Sequence, residues 1–218
     1  MKEVMTKDSS TTFYSEEYGE TYHSTTGAVE EAFKKFVEPC DMASRAKQGA
    51  VRILDVCFGL GYNSAAALDK ILENNIGCSV EIIGLEKDEK ILMKTLEVKP
   101  LIMSYCAVQD AVQNKRHYSR EGISIKILLG DARKTICKVK GKFDIILHDP
   151  FSPKKNPELW TEDFFKELRK HIKEGGILTT YSCAGQVRRN LKAAGFAVKD
   201  GPCVGRRSPS TIATPLPL

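Results

Sequence analysis

The sequence predicts an α/β fold: a mostly parallel, doubly wound sheet with helices on both faces. Three observations predict it. From residue 51 onward, apolar strand-like runs alternate with amphipathic helical stretches, the pattern of repeated βαβ units. The runs "VRILDV", "SVEIIGL" and "FDIIL" are nearly continuous in apolar residues, as strands are when both faces are buried. The last two strand candidates, "FAVKD" and "RRSPSTIAT", have no helix between them, so they should pair antiparallel. A chain of 218 residues suits one large domain of this kind, or one with a small extension.

The first 25 residues are polar and aromatic, and the stretch from Tyr18 to Gly27 is too rich in turn formers for a helix. "AVEEAFKKFV" reads as an amphipathic helix, with Val29, Phe33, Phe36 and Val37 along one side. Residues 1–49 therefore read as an N-terminal extension and helix packing on a core formed by residues 50–218. In that core "VRILDV" runs into the glycine turn "CFGLG". "NSAAALDKILEN" is helical, with Asn63 or Ser64 as its cap. "SVEIIGL" is a strand closed by Glu86, and "DEKILMKTLEV" a helix. "PLIMSYCAVQDAVQNK" is a further helix after Pro100. "ISIKILLG" is a strand closed by Asp131, followed by a short helix at "RKTICKV". "FDIIL" ends on Asp149. "PELWTEDFFKELRKHIK" is a helix with Pro157 near its start, stopped by Gly175-Gly176. "ILTTYS" is a strand and "GQVRRNLKAAG" a helix ending at Gly195.

The net charge of +5 and pI near 8.7 admit a polyanionic partner without specifying one. The seven cysteines include no C-x-x-C pair, so no zinc site is expected, and most read as small core residues. The N-terminus lacks the apolar run of a secretory signal, and no stretch approaches a membrane span. The expectation is a soluble, cytoplasmic protein with no metal and no membrane partner. Nothing in the sequence specifies an oligomeric state.

Four strands finish on or near an acid: Asp55, Glu86, Asp131 and Asp149. Strand interiors have no structural need for this, and ligands in doubly wound sheets sit at the carboxyl ends of strands. Gly59 and Gly61 permit a tight turn and close approach of a ligand to the backbone, or serve a plain strand-to-helix turn. The position of a third glycine holds Ser64, and no G-x-x-x-x-G-K-[ST] is present, so a nucleoside with little phosphate fits better than a dinucleotide. Glu86 is placed to accept both hydroxyls of a ribose. Asp131 can accept from an adenine amine, cap the following helix, or both.

The spacing "D-x-x-x-G-x-G", the second-strand acid and "GDA" resemble the Rossmann-like S-adenosyl-L-methionine (SAM) methyltransferases over residues 50 to 214. One departure is Cys57, where that family mostly has glycine. The resemblance implies a seven-stranded sheet with an antiparallel C-terminal hairpin and SAM as cofactor. It implies Asp55, Phe58, Gly59, Gly61, Asn63, Glu86, Asp131 and Ala132 as cofactor-binding residues. "DPFS" resembles the Asp-Pro-Pro-Tyr type of motif of methyltransferases that act on amino groups, which makes Asp149 the catalytic residue that anchors and aims an amine. Methyl transfer from a sulfonium needs mainly in-line positioning of the nucleophile.

A longer stretch is more specific. Asp149, Pro153, Asn156, Pro157, Trp160, Gly175, Gly176, Ser182, Ala184, Gly185, Val187, Arg188, Arg189 and the final Gly205, Arg206 and Arg207 resemble the methyltransferase part of the bacterial family that completes 5-methylaminomethyl-2-thiouridine at the tRNA wobble position. "YGETYHSTTGAVEEA" resembles the start of its stand-alone members. This resemblance implies tRNA, through its anticodon loop, as partner. It makes Phe151, Tyr22 and Tyr181 stacking candidates for an extruded base, and Lys154, Lys155, Arg188 and Arg206 phosphate contacts. His23 and Ser24 either line the same pocket or simply pack the N-terminal segment. The best-known form adds a second, FAD-dependent oxidase domain, for which 218 residues leave no room, so a single-function methyltransferase is expected. Two other readings share the fold. A polyamine aminopropyltransferase would want an acidic channel, and the lysines near "DPFSPKK" argue against one. A catalytically silent RNA-binding module would not need Asp149, Glu86 and Asp131 intact.

Overall fold

A computed structural model describes residues 1–205 and 207–217. Its centre is an eight-stranded sheet. Strands β4 (Ala50–Val56), β5 (Ser79–Glu86), β7 (Ile123–Leu129), β8 (Phe143–His148) and β9 (Ile172–Thr180) are parallel. In front of β4 lie β1 (Lys2–Met5), β2 (Thr11–Ser15) and β3 (Glu20–Thr21), which form a separate three-stranded antiparallel sheet. β6 (His117–Arg120) pairs antiparallel with β7 at one edge. At the other edge, β10 (Phe196–Asp200) and β11 (Thr211–Pro215) form the expected antiparallel pair, with β11 against β9. The order β10-β11-β9-β8-β4-β5-β7-β6 reverses direction between β4 and β8, which sets the switch point at their carboxyl ends.

Alternation along the central strands feeds two cores. Ile53, Ile145 and Leu147 point to one face, and Leu54, Val56 and Ile146 to the other. On the first face lie α3 (Tyr62–Asn74), α5 (Tyr105–Gln113) and the N-terminal elements α1 (Ala28–Glu31) and α2 (Met42–Ala46). On the second lie α6 (Ala132–Thr135), α7 (Glu162–Lys170) and α8 (Gly185–Ala193). Helix α4 (Glu89–Lys94) follows β5, capped by the Asp88 carboxylate.

Several expectations change in detail. The sheet has eight strands, the eighth being β6. Its turn, Glu121-Gly122, has φ of 50° and 80°, the left-handed pair that a two-residue hairpin requires. The helix expected from Pro100 begins only at Tyr105, and the backbone N–H groups of Met103 and Ser104 donate to the Asp69 carboxylate instead. Pro157–Trp160 is a separate 3₁₀ turn, and Thr161 caps α7 by accepting from Phe164 N at 3.2 Å. Gly175 and Gly176 lie within β9 rather than ending a helix. The helix at residues 28–40 widens into a π-helical stretch at Ala32–Val37 before a 3₁₀ turn. Of the seven cysteines only Cys40 and Cys78 are buried, so most are not core residues. Among the described residues no helix is long and apolar enough to cross a membrane.

Candidate active site

A cavity of about 980 Å³ opens at the carboxyl ends of β4, β5, β7 and β8. That is near the top of the range for small-molecule clefts, roughly 300–1,000 Å³, enough volume for a nucleoside beside a second flat group. Cys57, Gly59, Glu86, Asp131, Ala132 and Asp149 line it. Asp55 does not. Its side chain is fully buried beneath the glycine turn, where Oδ2 accepts from Ser64 Oγ at 2.6 Å. Asp55 Oδ1 has no hydrogen-bond partner among the described residues, and burial pushes the carboxyl up to about 7. Asp55 thus ties β4 to the first turn of α3, with its side chain outside the cavity lining. Three of the four strand-end acids share the rim.

The turn after β4 is held by its backbone. Cys57 N and Phe58 N both donate to Leu85 O, and Gly59 N donates to Glu86 Oε2 at 2.8 Å. Glu86 Oε1 accepts from Lys87 N and Asp88 N at 2.7 and 2.8 Å. Burial raises the Glu86 carboxyl, against these N–H groups, which favour its ionised form. Phe58, expected to touch the cofactor, packs in the core instead. A Cβ at Gly61 or Gly84 would stand 2.7 or 2.5 Å from its ring, so both glycines make room for it. Cys57 sits at φ 66°, which costs a residue with a Cβ about 1–2 kcal/mol. Glycine there would give back about 0.4–1 kcal/mol through unfolded-chain entropy. Cys57→Gly is therefore expected to leave stability unchanged or raise it by up to about 1.5 kcal/mol in urea denaturation. A loss of 2 kcal/mol or more, as an order of magnitude, would show that thiol packing outweighs the strain.

Asp149 ends β8 and stays in register because its N–H donates to Val56 O. Its Oδ2 accepts from Asn63 Nδ2 at 2.9 Å. Asn63, expected to bind cofactor, thus lies behind the cavity wall and orients Asp149. Two residues that the sequence reading missed lie on the same wall, Glu31 and Lys35. They form an ion pair, Lys35 is only 3% exposed, and Ser24 N donates to Glu31 Oε2 at 3.0 Å. Lys35 occupies the π-helical stretch. A helix read at 3.6 residues per turn put it on the solvent side, and the wider turn carries it inward. Burial and the Glu31 carboxylate hold the Asp149 carboxyl well above the usual carboxylate range, with Asn63 acting the other way.

The N-terminal sheet roofs the cavity. Phe151 stacks on Tyr18 with centroids 4.3 Å apart and meets Tyr22 edge-on at 4.9 Å. Glu20 accepts from Ser152 N and Ser152 Oγ at 3.1 and 2.5 Å, and Tyr22 donates to Asp88 at 2.8 Å. Tyr22, His23, Ser24, Phe151 and Tyr181 all line the cavity. His23 is buried beside Thr12 Oγ1, and burial lowers it to about 4, so its imidazole is neutral at pH 7. Lys154 and Lys155 are exposed and do not line the cavity. Arg188 is committed elsewhere: it donates to Thr211 Oγ1 and Ser210 O and pairs with Asp200 at 2.7 Å. It fastens α8 to the C-terminal strands and does not line the cavity. Arg206 lies outside the described residues. Among the described residues the cavity lining carries nine carboxylates against four Lys or Arg, so this lining is acidic and suits a cation.

A family profile described as S-adenosyl-L-methionine-dependent methyltransferase matches residues 96–215. The chain belongs to that family, and within it to the MnmC-like methyltransferases. The crystal structure of MNMC2 from Aquifex aeolicus superposes with a TM-score of 0.86 at 41% identity, covering 100% of this chain and 72% of that one. An uncharacterized protein of Methanocaldococcus jannaschii is 35% identical over 96% of this chain and 58% of its own length. The tRNA 5-methylaminomethyl-2-thiouridine biosynthesis bifunctional protein MnmC of Leptospira interrogans is 28% identical over 94% of this chain. The chain spans 34% of that protein.

Proposed function

We propose that this chain methylates a primary amine on a tRNA base, converting 5-aminomethyl-2-thiouridine at the wobble position to 5-methylaminomethyl-2-thiouridine. The observation that carries this reading is Asp149: a carboxylate at a strand end, lining the same acidic cavity as Glu86 and oriented by Asn63. The residues present fit SAM. Glu86, backed by three backbone N–H groups, is set to accept ribose hydroxyls. Gly59 and Cys57 offer close backbone approach, and Asp131 and Ala132 form the far wall. When bound, SAM supplies an electrophilic methyl group. Asp149 accepts the N–H groups of the amine and aims its lone pair, and the roof of Tyr18, Tyr22 and Phe151 gives a flat base aromatic surface and excludes water.

An aliphatic amine arrives largely protonated and must lose a proton before it attacks. A carboxylate whose proton affinity is raised is the better acceptor. The rate should then rise with pH as Asp149 ionises. Glu31 holds that ionisation high, so Glu31→Gln removes a negative neighbour and leaves the Lys35 cation unpaired. Both changes favour ionised Asp149, and the acidic limb of the kcat/KM profile is expected to move to lower pH. A limb that stays or moves up would separate Glu31 from this role.

A second reading keeps one supporting observation. The lysines that argued against a polyamine aminopropyltransferase lie outside the cavity, and its acidic lining suits a polycation as well as a base-borne amine. Labelled SAM with undermethylated tRNA, set against decarboxylated SAM with putrescine, separates the two. Methyl label on the wobble nucleoside supports the tRNA reading, and aminopropyl transfer to putrescine replaces it.

A further inference from the structure

The acidity of the cavity raises a problem for a polyanionic substrate. A wobble base inside it leaves the phosphates on either side at the opening of a cavity whose charged lining residues are mostly carboxylates. The cations that hold those phosphates must lie outside the cavity. Excess positive charge gathers in two stretches, Arg188 to Arg207 and Lys115 to Lys138, and the first commits Arg188 to Asp200. Between Lys115 and Lys138 there are seven Lys or Arg against two acids, an excess equal to the whole chain's +5.

The fold gathers several of these residues into a second groove of about 460 Å³ on the β6–β7 edge. Lys115, Arg116, His117, Lys126 and Lys138 line it, over a floor of Ile127 to Leu129 and Thr135, with no acid in the lining among the described residues. Lys115, Lys126 and Lys138 are exposed and make no ion pair among the described residues. Arg116 has one partner, the exposed Glu89 at 3.2 Å. The pairing of β6 with β7 places His117 opposite Lys126, and Ile127 N donates to Arg116 O, which carries Lys115 and Arg116 toward the carboxyl end of β7. The groove adjoins the cavity through one short segment. Asp131 to Arg133 line the cavity, and Thr135 and Lys138 line the groove.

We infer that this groove is a backbone-phosphate site for the RNA whose base enters the neighbouring cavity. The inference rests on the tRNA reading above. Lysines on a shallow, acid-free groove give the sequence-independent, salt-sensitive attraction by which proteins hold a nucleic-acid backbone. Register on the RNA comes from the groove, and the choice of base comes from the cavity.

The test compares two triple variants of equal charge loss. One is Lys115→Gln, Lys126→Gln and Lys138→Gln in the groove. The other is Lys47→Gln, Lys140→Gln and Lys142→Gln, which precede β4 and β8 at the amino ends of the two central strands, away from the carboxyl ends where the cavity opens. Binding of fluorescein-labelled unfractionated tRNA is followed by anisotropy at several salt concentrations without SAM, and kcat and KM are measured separately. The groove triple is expected to bind tRNA at least tenfold more weakly and to lower the log–log salt slope by about 2–3, near one per phosphate contact. Its SAM affinity and kcat should be unchanged, and the amino-end triple should stay within about threefold of wild type. Equal losses in both triples, or no loss in the groove triple, would overturn the assignment. Binding is read without turnover, so the two claims fail separately. A protein that binds tRNA through the groove and methylates nothing overturns the function alone. One that methylates tRNA with an unchanged KM in the groove triple overturns the groove alone.

Discussion

Asp149→Asn is expected to lower kcat by about 10²–10⁴-fold and to leave SAM affinity within about threefold. The side chain keeps its shape, so the hydrogen bond from Asn63 Nδ2 can still be accepted by the new amide oxygen. The other position becomes an NH₂ group, a donor facing the donors of the amine. Acceptance of the proton is lost as well. Nothing on the Glu86 side changes, because Glu86 is held by Gly59, Lys87 and Asp88. Single-turnover kinetics and calorimetric SAM binding check both halves. A SAM affinity that falls more than tenfold with turnover preserved would move Asp149 to the cofactor half of the site.

Glu86→Gln should have the opposite signature. Glu86 accepts three backbone N–H groups through two oxygens. Gln retains one oxygen, which goes to Lys87 N and Asp88 N, and turns its NH₂ toward Gly59 N–H. Two donors then face each other under the glycine turn. Losing a charged acceptor in a buried site costs about 1.5–3 kcal/mol. SAM affinity is expected to fall about 10–100-fold, and kcat at saturating SAM to change much less. The same lost bonds lower stability by about 1–3 kcal/mol, so urea denaturation must accompany the calorimetry. An unchanged SAM affinity in a folded variant would remove Glu86 from the ribose site.

The central parallel strands were legible in the sequence because burial on both faces leaves long apolar runs, and the acids that end them stand out against such runs. The placement of Glu86, Asp131 and Asp149 on one rim follows from that pattern alone. Asp55 shows its limit, since a strand-end acid can turn inward and brace a helix, and only the Ser64 contact reveals it. β6 was missed because four polar residues carry no core signal, although Glu121-Gly122 was a readable hairpin turn. The N-terminal sheet was missed because its strands run two to five residues, although "TTFYS" is rich in strand formers. Lys35 was out of reach: only the π-helical turn carries it to the cavity wall. Arg188 shows the opposite error, in which a cation was assigned to phosphate by its charge while its donors were already committed within the fold.

The proposed function divides labour along the rim, with Glu86 holding the nucleoside and Asp149 holding the amine. It is tested most directly by a crystal structure with S-adenosylhomocysteine and an anticodon stem-loop carrying 5-aminomethyl-2-thiouridine. The predicted result has both ribose hydroxyls on Glu86 and the aminomethyl nitrogen within about 3 Å of the Asp149 carboxylate. A nucleoside bound away from Glu86, or an aminomethyl group turned away from Asp149 toward solvent, would contradict it.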